Sequence, residues 1–110
     1  MTIAIPVTGG KLSPHFGHCE HFALFQLEND RIENQTILAS PPHEPGMLPP
    51  WLKDKGVNLV ITGGMGRRAQ DLFTSSGVRV IYGVEPQDPE AIVEQYLNGS
   101  LDTGDNVCDH

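Results

Sequence analysis

The sequence is poor in cysteine and in basic residues, and both shortages narrow the class of protein. Its two cysteines, Cys19 and Cys108, lie far apart outside any CxxC pair, which excludes a disulfide-rich scaffold and does not indicate a structural zinc knuckle. Only seven of the 110 residues are lysine or arginine, and the net charge is −7. Nucleic-acid binding is therefore not expected, because it depends on clustered cations that neutralise phosphates.

Long apolar runs are also missing. No stretch approaches the ~18 residues that a membrane-spanning helix needs, and the start, MTIAIPVTGG, lacks the charged and apolar regions of a signal peptide. We therefore expect a cytoplasmic protein that does not bind membranes. A composition of 38% hydrophobic and 19% charged residues over 110 positions fits one globular domain with one core.

Apolar periodicity predicts a single α/β domain over residues 1–99. Runs of apolar and β-branched residues predict five strands, at 2–7, 20–28, 31–39, 57–62 and 78–83. Helical spacing predicts three helices, one between Met47 and Gly56, one over 67–76 and one over 88–99. The order β-β-β-α-β-α-β-α predicts one mixed five-stranded sheet with helices packed on it. Residues 100–110 show no periodicity and are expected to form a flexible tail.

The stretch ITGGMGRRA, residues 61–69, leads from a predicted strand into a helix that begins with Arg67 and Arg68. Glycine allows a ligand to approach the backbone closely, and the N–H groups at a helix start attract anions. Both an anion site and a tight turn with solvated arginines fit this pattern. GMGRRA also fits the loosest dinucleotide fingerprint, with Glu85 about 20 residues further on. A P-loop is excluded because the stretch has no Walker lysine.

The stretch SPHFGHCEHF, residues 13–22, holds three histidines spaced three apart. Pro14 and Gly17 oppose a helix across it, so the histidines cannot form one helical row. We expect a loop that ends at Gly17 and leads into a strand. A turn followed by a strand scatters the three imidazoles, which argues against a three-histidine metal motif.

The alternation of side chains along that strand assigns separate roles to its polar residues. With the strand beginning near His18, His18 lies on one face, while Cys19 and His21 lie on the other. His15 belongs to the preceding loop. His15, His18 and Cys19 are therefore candidate metal ligands at the mouth of the strand, or ordinary structural residues, and His21 is assigned to the interior.

Two further segments carry ligand-type side chains. The chain ends in CDH, where Cys108 and His110 suit a soft or borderline metal, although a frayed terminus is the alternative. His43 and Glu44 lie in a proline-rich segment that is either a rigid binding loop or an ordinary surface loop. No Ser-His-Asp order, paired catalytic carboxylates or HExxH motif is present, so an enzyme is not expected.

Five stretches of the sequence resemble one known family. They are IAIPV, SPHFGHCEHFALF, HEPGMLPPWLKDKGVNLVITGGMGRRAQDLF, YLNGSL and the terminal CDH, and they cover nearly the whole chain. HFG and GGMGRRA are the most specific of them. The sequence is in this way similar to the dinitrogenase iron-molybdenum cofactor biosynthesis family, which includes NifX, the NafY core, the C-terminal part of NifB and the orange protein.

The resemblance implies a fold, a role and a set of contact residues. The fold is ribonuclease H-like, with a mixed sheet of strand order 3-2-1-4-5. The role is to hold an anionic metal-sulfur cluster (iron-molybdenum-type, iron-sulfur or molybdenum-copper) during assembly or transfer. The residues carried over from the family loops are Ser13, His15, Phe16, Gly17, His43, Gly63, Gly64, Met65, Gly66, Arg67 and Arg68. Many members have Arg-Ala after HFG, where this chain has His18 and Cys19, and this difference favours direct ligation in this chain.

The residues and the resemblance together predict a small binding protein for a metal-sulfur cluster. In this hypothesis backbone N–H groups of residues 63–66 and the two arginines that follow hold the anion. The ligands would come from His15, His18 or Cys19, and the terminal CDH would close the site. A cluster-assembly protein or a partner ATPase would be the protein partner, and the chain would be a monomer or a weak dimer.

Two alternatives from other classes stay open. The first is a nucleotide- or phosphate-binding module that uses GMGRRA and Glu85. The second is a regulatory interaction domain that recognises a partner ATPase or an assembly protein through the segment around Trp51.

Overall fold

The computed structural model describes residues 1–41 and 46–103, and that part of the chain forms an α/β domain. The strands are β1 (Thr2–Thr8), β2 (Lys11–Leu12), β3 (His21–Glu28), β4 (Arg31–Ala39), β5 (Leu59–Ile61) and β6 (Arg79–Ile81). The helices are α1 (Leu48–Asp54), α2 (Arg67–Ser75) and α3 (Pro89–Asn98). Of these three helices, none has the length and apolar character needed to cross a membrane.

The strands form one mixed sheet in the order β4-β3-β1-β5-β6, with β2 paired to β1 off this path. β3 is antiparallel to both of its neighbours, β1 and β4, whereas β1, β5 and β6 run parallel to one another. In the centre, Ile3 of β1 lies between Phe25 of β3 and Leu59 of β5. These directions bring the C-terminal ends of β1, β5 and β6 to one end of the sheet, where the candidate site lies.

The predicted α/β class is confirmed, and the predicted five-stranded sheet differs in detail. The sheet has six strands because β2 folds back on β1, so that Val7 pairs with Leu12. The turn between them uses Gly9 and Gly10, whose φ values are 63° and 81° and suit glycine. A two-residue strand is too short to show a periodic pattern, so the sequence did not indicate it. The ribonuclease H-like classification stays a prediction.

Two apolar clusters pack on opposite faces of the sheet. Alternation along β3 separates them, with Ala23, Phe25 and Leu27 in one cluster and Phe22 and Leu24 in the other. Helix α3 covers the first cluster with Ile92 and Val93, both fully buried. Helices α1 and α2 cover the second with Leu52 and Phe73, which are also fully buried. The sheet is therefore the middle layer of three.

The prediction that His21 lies in the interior is wrong. The strand begins at His21 and not near His18, and the His21 side chain is exposed. His21 pairs with Val7 and Ala39 at the very end of the sheet. A position at the end of a strand need not be covered on either face, so alternation alone did not determine its burial.

The helix ends differ in a way that matters for the site. α3 is capped as expected, because the Asp88 carboxylate accepts a hydrogen bond from the Glu90 N–H at 3.1 Å. It ends at Gly99, whose φ of 78° is left-handed. α2 begins after Gly66 with no side-chain cap and no acidic residue in its first turn.

Candidate functional site

Two loops meet where β1 and β5 end. We call residues 13–17 the histidine loop and residues 63–68 the glycine-arginine loop. A short parallel bridge joins His15 to Gly64, and the Phe16 N–H donates to the Gly64 carbonyl oxygen at 2.8 Å. The structure therefore brings these two segments, about 50 residues apart in sequence, into direct backbone contact.

Their packing depends on the absence of a side chain at Gly63. A Cβ placed there would lie 2.7 Å from the carbonyl oxygen of Pro14 and 2.9 Å from its Cα. Both are backbone atoms, which cannot rotate away as the tip of a side chain can. The Gly63 carbonyl in turn accepts from the Gly83 N–H at 2.6 Å, which fixes the turn to the segment after β6.

Ser13 shapes the histidine loop from inside. The residue is buried, its N–H donates to the Pro6 carbonyl at 2.7 Å, and its hydroxyl donates to the His15 carbonyl at 3.0 Å. Because the hydroxyl bonds within the loop, Ser13 fixes the shape of the loop.

Phe16 anchors the same loop to the core. Its ring lies 5.9 Å from the ring of Phe22 and 5.5 Å from that of Phe73, measured between centroids. The ring packs against the cluster that α1 and α2 cover, so Phe16 ties the loop to the sheet and to α2 at once. Edge-to-face and tilted aromatic pairs of this kind contribute roughly 0.5–1.5 kcal/mol beyond burial.

His15 in the histidine loop and His18, the residue just after it, lie side by side and are exposed. The centroids of the His15 and His18 rings are 6.4 Å apart in an edge-on arrangement, and the His18 N–H donates to the His15 carbonyl at 3.3 Å. Within residues 1–41 and 46–103, no group of three or more His, Cys, Asp or Glu side chains could hold a metal ion. Two imidazoles alone would be fewer than the three or four protein ligands of a typical metal site.

The start of α2 concentrates positive charge. Arg67 and Arg68 are the first two helical residues, both are exposed, and Gly66 provides no capping side chain. The helix dipole already places about half a positive charge at this end. Two arginines there oppose the dipole, and an anionic ligand would relieve that repulsion.

Met65 and Gln70 hold the turn that precedes this helix. The Met65 side chain is fully buried in the core, so only its backbone can face a ligand. The Gln70 side-chain amide donates to the Met65 carbonyl at 2.8 Å. Sequence reasoning missed Gln70, whose one signal is a polar residue placed one turn into the predicted helix.

Cys19 does not lie on the predicted face. It packs, partly buried, against the cluster that contains Phe22 instead of the one that contains Ala23, because it precedes the strand and is not subject to its alternation. Burial raises the pKa of the Cys19 thiol above its ordinary value of 9.0, and a hydrogen bond with Ser40 offsets only part of that rise. Since the thiolate is the ligating form, burial disfavours Cys19 as a ligand relative to the exposed imidazoles.

A third segment reaches the glycine-arginine loop. A Cβ on Gly46 would lie 3.7 Å from the Arg68 Nη2 atom, so Gly46, just before α1, borders Arg68. His43 lies outside the described residues, and so do Cys108 and His110. Their roles in cofactor or metal binding stay predictions.

The nucleotide-binding and interaction-domain alternatives rest on Glu85 and Trp51, and the structure places both residues outside the two loops. Glu85 lines a groove of about 560 Å³ together with Gln87 and Gln95, whose side chains bond to each other at 2.9 Å. No residue of the glycine-arginine loop lines this groove. Trp51 is partly buried, its ring lies 5.7 Å from that of Phe22, and the Lys55 Nζ covers it at 5.3 Å.

Comparison with known proteins places this geometry in a family. The sequence profile described as "Dinitrogenase iron-molybdenum cofactor" matches residues 1–99. Protein MJ0580 of Methanocaldococcus jannaschii is 32% identical over 107 residues, which cover 93% of this chain and 90% of that protein. The crystal structure of PH0822 superposes with a TM-score of 0.88 at 32% identity over 94% of both chains.

A more distant structure shares the fold. The apo form of the orange protein from Desulfovibrio gigas superposes with a TM-score of 0.78 at 19% identity, over 96% of this chain and 93% of that one. The profile match spans both loops of the candidate site, the whole sheet and all three helices. On this basis the chain is a member of the dinitrogenase iron-molybdenum cofactor family.

Proposed function

We propose that the protein binds an anionic metal-sulfur cluster, or a precursor of an iron-molybdenum-type cofactor, and carries it during assembly or transfer. The observation that supports this most is the contact of the histidine loop with the glycine-arginine loop. His15, whose ring lies beside that of His18, pairs through its backbone with Gly64, in the turn that leads to an uncapped helix start with two arginines. Membership of the family suggests a role associated with the cofactor, and in this proposal the cluster is the cargo of the protein.

Charge is the main attraction in this proposal. The dipole of α2 contributes roughly 0.3–1 kcal/mol toward an anion at its start. An ion pair between an exposed arginine and the anion would add roughly 0.2–1 kcal/mol, so Arg67 and Arg68 together contribute as much as the helix end or more. The rest of the surface is acidic overall, with a net charge of −7 for the chain. The arginines therefore form a local exception where an anion can be held.

Ligation has a smaller part. His15 and His18 can offer one or two nitrogen ligands to a metal at the edge of a cluster. A complete cage would bind metal tightly and release it slowly, whereas partial ligation with electrostatic capture suits a carrier. Within the described part of the chain, the side chains fit this second arrangement.

Binding in vitro tests the proposal. Purified protein is titrated under anoxic conditions with tetrathiomolybdate and copper(I), and separately with a supplied iron-sulfur cofactor, while visible absorption and retained metal are measured after desalting. We expect one of these anionic clusters to be retained by the wild type. If the folded wild type retains neither the molybdenum-copper cluster nor the iron-sulfur cofactor, the proposal is wrong.

Nucleotide titrations distinguish cluster binding from the phosphate-binding alternative. Titration with ADP and with NADH, followed by Trp51 fluorescence, should give no saturable change, because Glu85 lines a different groove from the arginine loop. Saturable ADP binding that depends on Arg67 and Arg68 would favour a phosphate site instead.

The proposed function also includes a non-catalytic role, a cytoplasmic location and transfer of the cluster to a cluster-assembly protein.

A further inference from the structure

The outer edge of β6 borders a groove that shares only Gln70 with the residues described at the candidate site. The groove has a volume of about 420 Å³ and runs between this edge and helix α2. Its lining residues are Gln70, Thr74, Gly77, Val78, Arg79, Val80 and Tyr82. In the described part of the chain the sheet path ends at β6, so no further strand pairs with it on that side.

The hydrogen bonds to β5 show which backbone groups face this groove. The Arg79 N–H donates to the Asn58 carbonyl at 3.0 Å, and the Ile81 carbonyl accepts from the Thr62 N–H at 2.9 Å. Successive residues of a strand turn their backbone groups to opposite sides. The N–H and C=O of Val80 therefore point outward, where they can pair with an incoming strand.

The side chains around this edge are those of a peptide groove. Val80 packs partly on the cluster under α2, and Tyr82 is 38% exposed, one of the few large apolar side chains in the described chain to be so exposed. Arg79 is exposed and is the one charged residue among those that line the groove. A groove between a helix and an edge strand, with pockets for alternate side chains, is the arrangement by which proteins add a peptide to a sheet.

We propose that β6 binds an extended segment of a partner protein by strand addition, and that this segment places a carboxylate against Arg79. Charge complementarity decides the chemistry of the occupant, because Arg79 is the one charged residue among those that line the groove, and an added strand has side chains on both faces of the sheet. A second copy of this chain fits less well. A β6 strand from a second copy has the sequence Arg-Val-Ile and provides no carboxylate for Arg79. The inference goes beyond cargo binding and concerns how the carrier meets its partner.

A peptide selection tests this surface. A phage-displayed library of random octapeptides is selected on wild-type protein without cargo, and the affinities of the selected peptides are measured by fluorescence anisotropy. We expect selected sequences to alternate apolar residues with polar ones and to contain Asp or Glu. Val80→Pro removes only the outward N–H and leaves the bonds to β5, so it should weaken binding by about fivefold or more.

The controls distinguish this edge from other sites. Ile37→Pro makes the same change on the opposite edge, because the bond from the Ser40 N–H to the Glu20 carbonyl sets the register in which Ile37 faces outward. It should leave affinity unchanged. Arg79→Glu should also weaken binding, and a peptide with Lys in place of its carboxylate should restore it. This charge swap tests the surface even where Val80→Pro impairs folding, which circular dichroism would show.

Other outcomes overturn the inference. Peptides that bind wild type and Val80→Pro equally, or a selection that enriches nothing, would exclude strand addition at β6. A concentration-dependent dimer in sedimentation that Val80→Pro abolishes would assign the edge to a second copy. Cluster retention should be the same in Val80→Pro as in the wild type, so failure of strand addition is distinguishable from failure of the proposed cargo function.

Discussion

Gly63 and Pro14 are in backbone contact, with no room for a side chain between them: a Cβ on Gly63 would lie 2.7 Å from the Pro14 carbonyl oxygen. This contact sets the distance between the histidine loop and the glycine-arginine loop. The proposed site depends on that distance, because its imidazoles and its arginines belong to different loops. The glycine is therefore required by the geometry of the site.

Gly63→Ala should lower the free energy of unfolding by about 1–3 kcal/mol, the usual cost of forcing extra volume into a packed position. The matched control is Gly66→Ala in the same loop. A Cβ at Gly66 meets no atom within 4 Å, so the cost should stay below about 1 kcal/mol, that of a poorer residue at a helix N-cap. Urea unfolding measures both, and equal losses would contradict the account.

Replacing the arginines should reduce cargo binding without unfolding the protein. Arg67→Gln with Arg68→Gln removes two exposed charges, and we expect retention of the anionic cluster to fall about tenfold or more. Arg31→Gln is the control, because Arg31 begins β4 at the opposite end of the sheet. Binding should also weaken as salt is raised. Equal binding by both variants would show that the arginines are not the anion site.

The effect of replacing a histidine on cluster binding should depend on its position. His15→Ala and His18→Ala should each lower the retention of the cluster and shift its visible absorption, because a ligand to the metal changes its charge-transfer bands. His21→Ala is the control, since His21 is exposed at the same end of the sheet but lies in β3, outside the bridge with Gly64. A spectrum that is unchanged in all three variants would mean capture without ligation.

Cys19 should be a slow nucleophile at neutral pH. In a Cys108→Ser background, alkylation by iodoacetamide should rise with a midpoint above pH 9.0, because burial raises the pKa of the Cys19 thiol. Urea should return the midpoint toward the ordinary value. The raised pKa also makes stability depend on pH, because the folded state favours the neutral thiol. This contribution to the free energy of unfolding is complete below pH 9.0 and is lost as pH rises through the pKa of the folded state. A midpoint below 9.0 in the folded protein would contradict this environment.

The fold was largely predictable because its central strands are continuous apolar runs. Leu59–Ile61 is buried throughout, as its sequence indicates, and α3 carries its cap, its proline and its terminal glycine within one segment. The wrong predictions concern positions where the apolar alternation is too short to be recognised or has not yet begun. β2 has two residues, His21 stands at the first position of its strand, and Cys19 lies just before it.

The site was less predictable because it is made of contacts between distant residues. The sequence pointed to the two loops separately, through their glycines, histidines and arginines. It could not show that Pro14 rests on Gly63, or that Gln70 supports the Met65 carbonyl, because such contacts leave no periodic signal. The family resemblance also implied Ser13 and Met65 as contact residues, and the side chains of both are buried in the structure.

In the proposed function, the protein carries an anionic metal-sulfur cluster at the two loops. This function is tested most directly by isolating the protein under anoxic conditions from cells supplied with iron and molybdate, then measuring metal, sulfide and native mass. We expect a bound metal-sulfur species in the wild type that is lost in the Arg67→Gln, Arg68→Gln double variant and kept in Arg31→Gln. A wild type that is free of metal, or a double variant that keeps the same species, would contradict it.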